Sequence, residues 1–326
     1  MSLDTDLEQD FVRVTEYAAI EAAKTMGLGD RHRSDQVATE SMREELGKLE
    51  MCGRIVIGEG ERDDAPMLFI GEQLGSYIDQ EGATQVDIAV DPLEGTNLCA
   101  TGAPDATAVL AAAERGGLLH APDVYMEKLV VGPTAAERIH IDAPVAENLR
   151  NIAEAFERRV SELTIIVLDR ERHQQLVEDI RSAGARIRLI GDGDLSAAIA
   201  AAVRGTGVHA VMGTGGAPEG VLAAAAMRCL GGRIQGRLVA IGDDQVERLQ
   251  NLGYDNTDRI YETEDLAPGE QILFSCSGVT DGELLEGVRF FGGGTRTHTL
   301  FMSLSRRMIR FVDTIRREDT NSAVQL

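Results

Sequence analysis

The sequence contains no tryptophan, and aromatic residues make up only 4% of its 326 residues. Proteins that bind single strands of nucleic acid by base stacking need exposed aromatic side chains, so this composition argues against that class. Lysine and arginine total 32 against 54 aspartates and glutamates, which gives a formal net charge of −22. Such an acidic protein is a poor partner for nucleic acid or an anionic membrane, although a metal ion or an arginine cluster can still bind a small anionic substrate.

Long apolar segments and paired cysteines are also missing. No apolar run approaches the length needed to span a bilayer, and the acidic N-terminus, MSLDTDLEQDF, lacks the apolar core of a signal peptide. We therefore expect a cytoplasmic protein. The four cysteines form no C-x-x-C pair and have no histidine at zinc-site spacing, so they are expected to be free buried thiols: Cys52, Cys99, Cys229 and Cys276.

Hydrophobic spacing predicts an α/β protein. In the first half it predicts helices over 11–26, over 36–49 with Ser34 as N-cap, and after Pro66, and strands over 54–57, 86–90 and 107–113. In the second half, strands over 164–168, 186–190, 208–212 and 238–241 alternate with helices over 173–183, 195–203 and 218–230. This alternation is typical of βα units with an at least partly parallel sheet, and a more strand-rich stretch follows over 271–313.

Acidic residues cluster near the ends of the predicted elements. They lie in IGEGERDDAP (57–66), DPLEGT (91–96) and GTGGAPEG (213–220), and Asp35 lies near the start of a helix. Each alone is explained by a helix dipole, a solvated turn or ordinary turn chemistry. Together they suggest a site, because α/β proteins build sites beyond the ends of strands. Two carboxylates about 4 Å apart repel by roughly 4 kcal/mol at an effective dielectric of 20, so a converging set needs cations.

The chemistry of these groups favours one kind of ligand. All the candidate donors are oxygens, which suits Mg²⁺ or Mn²⁺ better than zinc, and bound Mg²⁺ usually accompanies a phosphate. Two glycine-flanked helix starts, at Thr96–Asn97 after Gly95 and at 215–220, offer backbone N–H groups to an anion. A plain tight turn is the alternative explanation of each.

The segment Asp91–Thr96 resembles the D-P-x-D/E-G-T signature of the metal-dependent sugar and inositol phosphatases. With IVIGEGERDDAPML before it, and with APDVYMEKLVVGP, GDGD, GGAPEGV and LLEGVRF after it, nearly the whole chain resembles a class II fructose-1,6-bisphosphatase. Some members of that family also hydrolyse sedoheptulose 1,7-bisphosphate. The resemblance implies a layered α/β/α/β/α sandwich in a single sugar-phosphatase unit, 1–326. A weak composition shift at 142–163 divides it into a metal-site half, 1–160, and a substrate-binding half, 161–326.

The resemblance also implies roles for individual residues. The metal ligands are Asp35 and Glu59 at a first site, and Asp91, Glu94 and Glu219 at a second. Asp63 is an acid needed for catalysis, and the Thr96 hydroxyl orients the attacking water. The substrate contacts are Glu94, Gly95, Thr96, Tyr125, Arg170, Glu171, Arg172, Asp192, Gly193, Asp194 and Gly216. The implied activity is hydrolysis of the 1-phosphate with Mg²⁺ or Mn²⁺ at two or more sites, in carbon metabolism of the gluconeogenic or Calvin-cycle type, by a homodimer or homotetramer.

Two departures from the family pattern stand out. Arg31 occupies a position where relatives often carry lysine, and the guanidinium is bulkier and forked. The stretch between 231–238 and 247–254 is shorter than in some relatives, which predicts a trimmed surface loop that affects regulation or assembly more than chemistry.

Three other functions compete with this one. An inositol monophosphatase shares the signature, but the GAPEG segment and the long C-terminal half argue against it. A haloacid dehalogenase-type phosphatase would use Asp192 as its nucleophile, yet it needs a later lysine and none follows Lys128. A non-catalytic sugar-phosphate-binding regulator would have no need for Thr96 or Asp63.

Overall fold

The computed structural model describes residues 3, 7–60, 67–251, 253–254 and 256–317, and these residues form two compact units. Unit 1 spans 1–117 and 269–326, and unit 2 spans 118–268. Both units contain helices and a mixed sheet, so the predicted α/β class is confirmed. In the part of the chain that the structure describes, no helix has both the length and the apolar character to cross a bilayer.

The elements are numbered in chain order. The helices are α1 (Glu8–Ala23), α2 (Arg31–Gly47), α3 (Thr96–Thr101), α4 (Val145–Ala155), α5 (Gln174–Ser182), α6 (Asp194–Ala202), α7 (Ala217–Leu230), α8 (Asp243–Asn251) and α9 (Thr263–Leu266). The strands are β1 (Cys52–Ile57), β2 (Gln73–Leu74), β3 (Gln85–Glu94), β4 (Thr107–Glu114), β5 (Tyr125–Val131), β6 (Thr164–Leu168), β7 (Arg186–Ile190), β8 (Ala210–Gly216), β9 (Arg233–Val239), β10 (Leu273–Gly278), β11 (Arg289–Phe291), β12 (Gly294–Ser303) and β13 (Met308–Arg317).

Unit 1 is a sheet covered by two helices. Its strand order is β11-β12-β10-β4-β3-β1-β2, with β13 paired to β12, and only the β1–β3 pair is parallel among the described strands. Helix α1 buries Phe11, Val14 and Ala18, which recur at helical spacing along one face. They pack with Ile88 of β3 and Phe301 of β12 in one apolar core. This packing anchors β3 against α1.

Asp87 is the first of the two aspartates in the segment VDIAVD of β3, and it has a purely structural environment. Its side chain is fully buried. The carboxylate accepts hydrogen bonds from Arg54 Nε and Nη2 at 3.1 Å each, from Arg115 Nη1 at 3.0 Å and from the Gly116 N–H at 2.7 Å. Asp87 therefore neutralises two arginines and does not belong to an acidic cluster.

Replacing Asp87 with alanine is expected to lower the free energy of unfolding by about 3 kcal/mol, because two arginines lose their buried counter-charge. Urea denaturation measures this loss. Asp313→Ala is the matched control, since it removes a solvent-exposed ion pair with Arg296 in the same unit and should cost less than about 1 kcal/mol. Equal losses in the two variants would show that the Asp87 cluster adds no more than a surface pair.

Unit 2 is a sheet between two helix layers. The strand order is β7-β6-β8-β5-β9, in which β6 pairs in parallel with β7 and β8, so the predicted partly parallel sheet is confirmed. Because side chains alternate along a strand, β5 sends Leu129 to a core with Leu149 of α4 and Ile180 of α5. On its other face, Val130 lies beside Leu195 of α6. Unit 2 thus has a helix layer on each face of its sheet.

The two chain crossings between the units lie at a pair of glycines. The Gly269 N–H donates to the Gly117 carbonyl at 3.0 Å, and a Cβ on Gly117 would lie 2.6 Å from the Ala113 Cβ. This division differs from the predicted halves, because unit 1 is built from both ends of the chain. The composition shift at 142–163 instead contains α4, a helix that the sequence reading did not identify.

Local details correct the sequence reading in two places. Asp30, not Ser34, caps α2, because its carboxylate accepts from the Arg33 N–H at 3.0 Å, whereas Ser34 is buried inside the helix. The helix expected after Pro66 is wrong for residues 67–84, which form turns and β2. There the Glu72 carboxylate accepts from the Leu68 N–H at 2.6 Å, and Leu68 has a φ of 51°, which an α-helix excludes.

Candidate active site

The end of β3 is irregular where the signature begins. Asp91 pairs with Val109 of β4 and Glu94 with Thr107, so β3 advances three residues while β4 advances two. The Asp91 carboxylate accepts from the Leu93 N–H at 3.1 Å, which stabilises the local turn. Bulges of this kind bend a strand and re-aim its side chains, and they are common beside active sites. The predicted strand therefore ends in a hydrogen-bonded turn that carries the carboxylates of Asp91 and Glu94.

Gly95 converts this strand end into a helix start. Its φ of 80° and ψ of 47° lie in the left-handed region, which glycine adopts without strain. Helix α3 begins at Thr96, as the sequence predicted. The Thr96 hydroxyl donates to the Leu93 carbonyl at 3.1 Å, so the oxygen's lone pairs remain on the side away from that bond. The turn fixes the direction of a hydroxyl that can accept a hydrogen bond.

Two further carboxylates reach the same cluster in unit 1 from other elements. Asp35 lies on α2, and Glu59 follows β1, where its N–H donates to the Leu68 carbonyl at 3.1 Å. Asp35 and Glu59 hydrogen-bond to each other. Burial, followed by the negative charges of Asp35 and Asp91, raises the pKa of Glu59 to about 9. Burial also raises the pKa of Asp35. Negative charge is therefore unfavourable here without a cation.

Gly58 explains how the chain brings Glu59 to this position. A Cβ on Gly58 would lie 2.0 Å from the Leu68 carbonyl oxygen and 2.8 Å from a methyl group of Ile55. No residue larger than glycine fits there unless the backbone moves. Close packing therefore requires glycine at position 58 in the segment IGEG. This packing fixes the backbone position from which the Glu59 side chain extends.

Cys276 on β10 borders the same cluster. Burial, together with the negative charges of Glu94 and Asp91, raises the pKa of this thiol to about 12. Cys276 therefore stays protonated and does not supply a thiolate ligand. The remaining donors are the carboxylates of Asp35, Glu59, Asp91 and Glu94, an all-oxygen set. Such a set fits a hard divalent cation such as Mg²⁺ or Mn²⁺.

In unit 2, Arg172 is held over Tyr125. The guanidinium carbon lies 4.9 Å from the Tyr125 ring centroid, within the range of a cation–π contact. Nε and Nη2 of Arg172 donate to the Thr214 carbonyl at 3.0 and 2.7 Å. Two of the predicted substrate contacts are thereby brought together, and the flanking residues Arg170 and Glu171 are exposed.

His173 fixes this group and was missed by sequence reasoning. Its Nε2 accepts from the Thr214 N–H at 2.8 Å, so Nδ1 carries the proton and donates to the Leu168 carbonyl at 2.7 Å. Burial lowers the pKa of His173, and the charges of Arg172 and Arg170 lower it further. The neutral ring links the Arg170–Arg172 turn to the end of β8. Only its position directly after the predicted Arg170–Arg172 segment could have drawn attention to it.

Lys128 is a second residue that sequence reasoning did not assign. Its ammonium lies 2.6 Å from the Asp194 carboxylate and donates to the Gly216 carbonyl at 3.0 Å. Asp194 begins α6 after Gly193, whose φ is 85°, and Gly216 is the N-cap of α7. Two predicted substrate residues, Asp194 and Gly216, thus contact one lysine. Its presence in the family segment APDVYMEKLVVGP was the available signal.

The remaining predicted residues are placed as follows. Asp192 precedes α6, and its carboxylate lies 3.2 Å from the Gly193 nitrogen. Glu219 lies in the first turn of α7, and a Cβ on Gly216 would lie 1.9 Å from a Glu219 carboxylate oxygen. Gly216 therefore leaves room for that carboxylate. Asp63 lies outside the described residues. The catalytic and ligand roles of all these residues stay predictions.

Two mixed α/β units and an all-oxygen carboxylate cluster beside a D-P-x-E-G-T turn are features of a metal-dependent phosphatase. The chain belongs to the family described as bacterial fructose-1,6-bisphosphatase, glpX-encoded, whose profile matches residues 5–316. The family resemblance drawn from the sequence motifs is therefore confirmed.

Several curated relatives share nearly the whole chain. A D-fructose 1,6-bisphosphatase class 2/sedoheptulose 1,7-bisphosphatase from Synechococcus sp. (strain JA-2-3B'a(2-13)) is 50% identical over 339 residues, covering 97% of each chain. The protein of the same name from Synechocystis sp. (strain ATCC 27184 / PCC 6803 / Kazusa) is 48% identical over 344 residues, covering 99% of this chain and 100% of its own. Among solved structures, the extragenic suppressor protein suhB from Bartonella henselae aligns with 59% of this chain and 71% of its own, at 15% identity and a TM-score of 0.34, which is too low to bear on function.

Proposed function

We propose that this protein hydrolyses the 1-phosphate of fructose 1,6-bisphosphate to fructose 6-phosphate and phosphate, and that it also acts on sedoheptulose 1,7-bisphosphate. The relatives that match the whole chain carry both activities in their names. The observation that carries the proposal is the cluster of Asp35, Glu59 and Asp91, in which the pKa of Glu59 is raised to about 9. Carboxylates arranged in this way favour a site for divalent cations, which phosphate-ester hydrolysis uses.

We propose that Asp35 and Glu59 hold one metal ion, and that Asp91 and Glu94 hold another with Glu219 as an additional ligand. Mg²⁺ or Mn²⁺ bound there would polarise the phosphoryl group and lower the pKa of bound water. The support is the oxygen-only donor set and the burial of Glu94, which leaves its carboxylate little exposed to water.

The reaction places one demand on Thr96 and one on Asp63. The Thr96 hydroxyl proton is engaged by the Leu93 carbonyl, so its oxygen accepts a hydrogen bond from the attacking water and points it at phosphorus. Asp63, predicted as an acid required for catalysis, would take part in proton transfer.

The sugar and the distal phosphate would be bound by residues of unit 2. Nε and Nη2 of Arg172 donate to the Thr214 carbonyl, which fixes the orientation of the guanidinium. Nη1 would then bind the anion. The Tyr125 ring makes a cation–π contact with the Arg172 guanidinium. Arg170, Glu171, Asp192, Gly193, Asp194 and Gly216 are proposed to contact the rest of the substrate. The cytoplasmic location and the homodimeric or homotetrameric state stay predictions.

Phosphate release from both bisphosphates, with Mg²⁺ and Mn²⁺ tested separately, examines the proposal directly. Inositol 1-phosphate and a chelator-treated sample serve as controls. Metal-dependent release from the fructose or the sedoheptulose bisphosphate is expected. Release from inositol 1-phosphate alone would instead assign an inositol phosphatase, and tight binding of fructose 1,6-bisphosphate without turnover would assign a regulator.

A further inference from the structure

Lys128 is a buried lysine in the substrate-binding unit. Its exposed fraction is only 6%, and β5 sends it toward the face that α6 and α7 cover. A buried ammonium is costly unless it is paired and hydrogen-bonded. Lys128 satisfies that condition with the Asp194 carboxylate at 2.6 Å and the Gly216 carbonyl at 3.0 Å. The side chains of both members of this ion pair are almost fully withdrawn from water.

These two partners stand at the starts of two different helices. Asp194 is the first residue of α6, and Gly216 is the residue before α7, whose first turn carries Glu219. One ammonium group therefore fixes the N-terminal ends of both helices relative to β5. Movement of Lys128 would displace Asp194 and Gly216 together, and both are proposed substrate contacts.

The backbone of β8 and α7 packs closely against the ion pair. A Cβ on Gly215 would lie 2.2 Å from an Asp194 carboxylate oxygen and 2.9 Å from Lys128 Nζ. A Cβ on Gly220 would lie 3.6 Å from Lys128 Cδ and 2.6 Å from Met126 Sδ. The glycines at 215 and 220 thus allow the backbone of β8 and α7 to close on the lysine. This close packing restricts the movement of Lys128 and Asp194 relative to β8 and α7.

We propose that Lys128 is a positioning residue that sets the preference of the site for sugar bisphosphates over simple phosphate esters. The inference rests on the proposed function, because Asp194 and Gly216 matter only if they contact the sugar substrate. In this role Lys128 acts through Asp194 and Gly216, with which its ammonium group is paired. It holds the side of the site that recognises the sugar, whereas cleavage of a simple phosphate ester relies on the carboxylate cluster and Thr96.

The test compares two substrates on Lys128→Met. A misplacement of about 1 Å in a positioning group costs on the order of 10²-fold, so kcat/KM for fructose 1,6-bisphosphate is expected to fall about 100-fold, mainly through KM. The kcat/KM for p-nitrophenyl phosphate, which has no sugar, should fall much less, because Glu219 is the one proposed metal ligand that lies on a helix held by Lys128. The ratio of the two does not depend on the active fraction of the preparation, so partial unfolding leaves it unchanged.

Arg233→Met is the matched control. Arg233 forms a hydrogen-bonded ion pair with Glu262 at 2.9 Å in the same unit, but neither residue adjoins a proposed substrate contact. This variant should lose stability and keep the substrate ratio. If Lys128→Met does not fold, Gly215→Ala provides the second variant, because its Cβ would push Asp194 away from the lysine.

The outcomes are distinguishable. A selective loss on the bisphosphate in Lys128→Met or Gly215→Ala supports the positioning role, as does weaker binding of fructose 6-phosphate with unchanged binding of inorganic phosphate. An unchanged substrate ratio in a folded variant, or equal losses on both substrates, overturns it. Wild-type protein that cleaves p-nitrophenyl phosphate but neither bisphosphate would contradict the proposed function itself, which is seen before any variant is made.

Discussion

Replacing Thr96 with valine is expected to lower kcat for 1-phosphate release by about 10²-fold, the cost of misplacing a reacting group by about 1 Å. Valine has nearly the same shape but no hydroxyl, so it can neither donate to the Leu93 carbonyl nor accept from a water. Thr96→Ser keeps the hydroxyl and should retain most of the activity. Steady-state phosphate release measures both variants.

Thr101→Val is the matched control for this prediction. Thr101 lies on the same short helix, and its hydroxyl also donates to a backbone carbonyl, that of Asn97 at 2.8 Å, but it is exposed. This variant should have wild-type kcat. Metal affinity, measured by calorimetry, should be unchanged in both valine variants. Wild-type turnover in Thr96→Val would rule out the role of its hydroxyl in orienting water.

The part of the site that could be predicted from sequence is the part encoded by neighbouring residues. The turn at Asp91–Thr96 needs a glycine with positive φ at Gly95 and a helix start at Thr96, and the structure has both. Local patterns of this kind depend on a few neighbouring residues, so they can be recognised without knowledge of the tertiary structure. Asp35 and Glu59 come from other elements; acidic clustering pointed to Asp35 and to the segment 57–66, and the family resemblance assigned both residues as metal ligands.

The two aspartates of VDIAVD show where local pattern fails. Asp87 and Asp91 lie on the same face of β3 by alternation, and only the signature that begins at Asp91 distinguishes them in the sequence. In the folded unit, Asp87 meets Arg54 and Arg115, whereas Asp91 adds its charge to the cluster around Glu59. The difference is created by partners that are distant in sequence.

The same reason explains why the unit boundary, Lys128 and His173 were not foreseen. Their partners lie 88 residues away for Lys128 and Gly216, and 41 residues away for His173 and Thr214. The glycines at the chain crossings, Gly117 and Gly269, show no change in composition around them. The spacing of apolar residues along the sequence predicts which face of a helix or strand is buried, but not which faces pack against each other.

Binding of Mg²⁺ or Mn²⁺ is expected to release about one proton per protein near pH 8, because the pKa of Glu59 is about 9 without metal and a ligating carboxylate must be ionised. Metal affinity should therefore rise up to tenfold per pH unit below pH 9. Calorimetry in two buffers with different ionisation enthalpies measures the proton count. Glu59→Gln should bind metal more weakly and release no proton from this position.

The same shift predicts how the metal-free protein responds to pH. The usual pKa of glutamate is 4.5, so between that value and about 9 the folded state binds a proton at Glu59 that the unfolded state has lost. Stability from this group is fully present below pH 4.5 and declines as pH rises toward 9, by at most about 1.4 kcal/mol per pH unit. Saturating metal should weaken this decline, because it favours the ionised carboxylate.

Glu114→Gln is the control, since its carboxylate accepts only backbone N–H groups, from Glu270 and Gln271, among the described contacts. A metal-free protein equally stable at pH 6 and pH 9, with no proton release on metal binding, would remove Glu59 from the metal site.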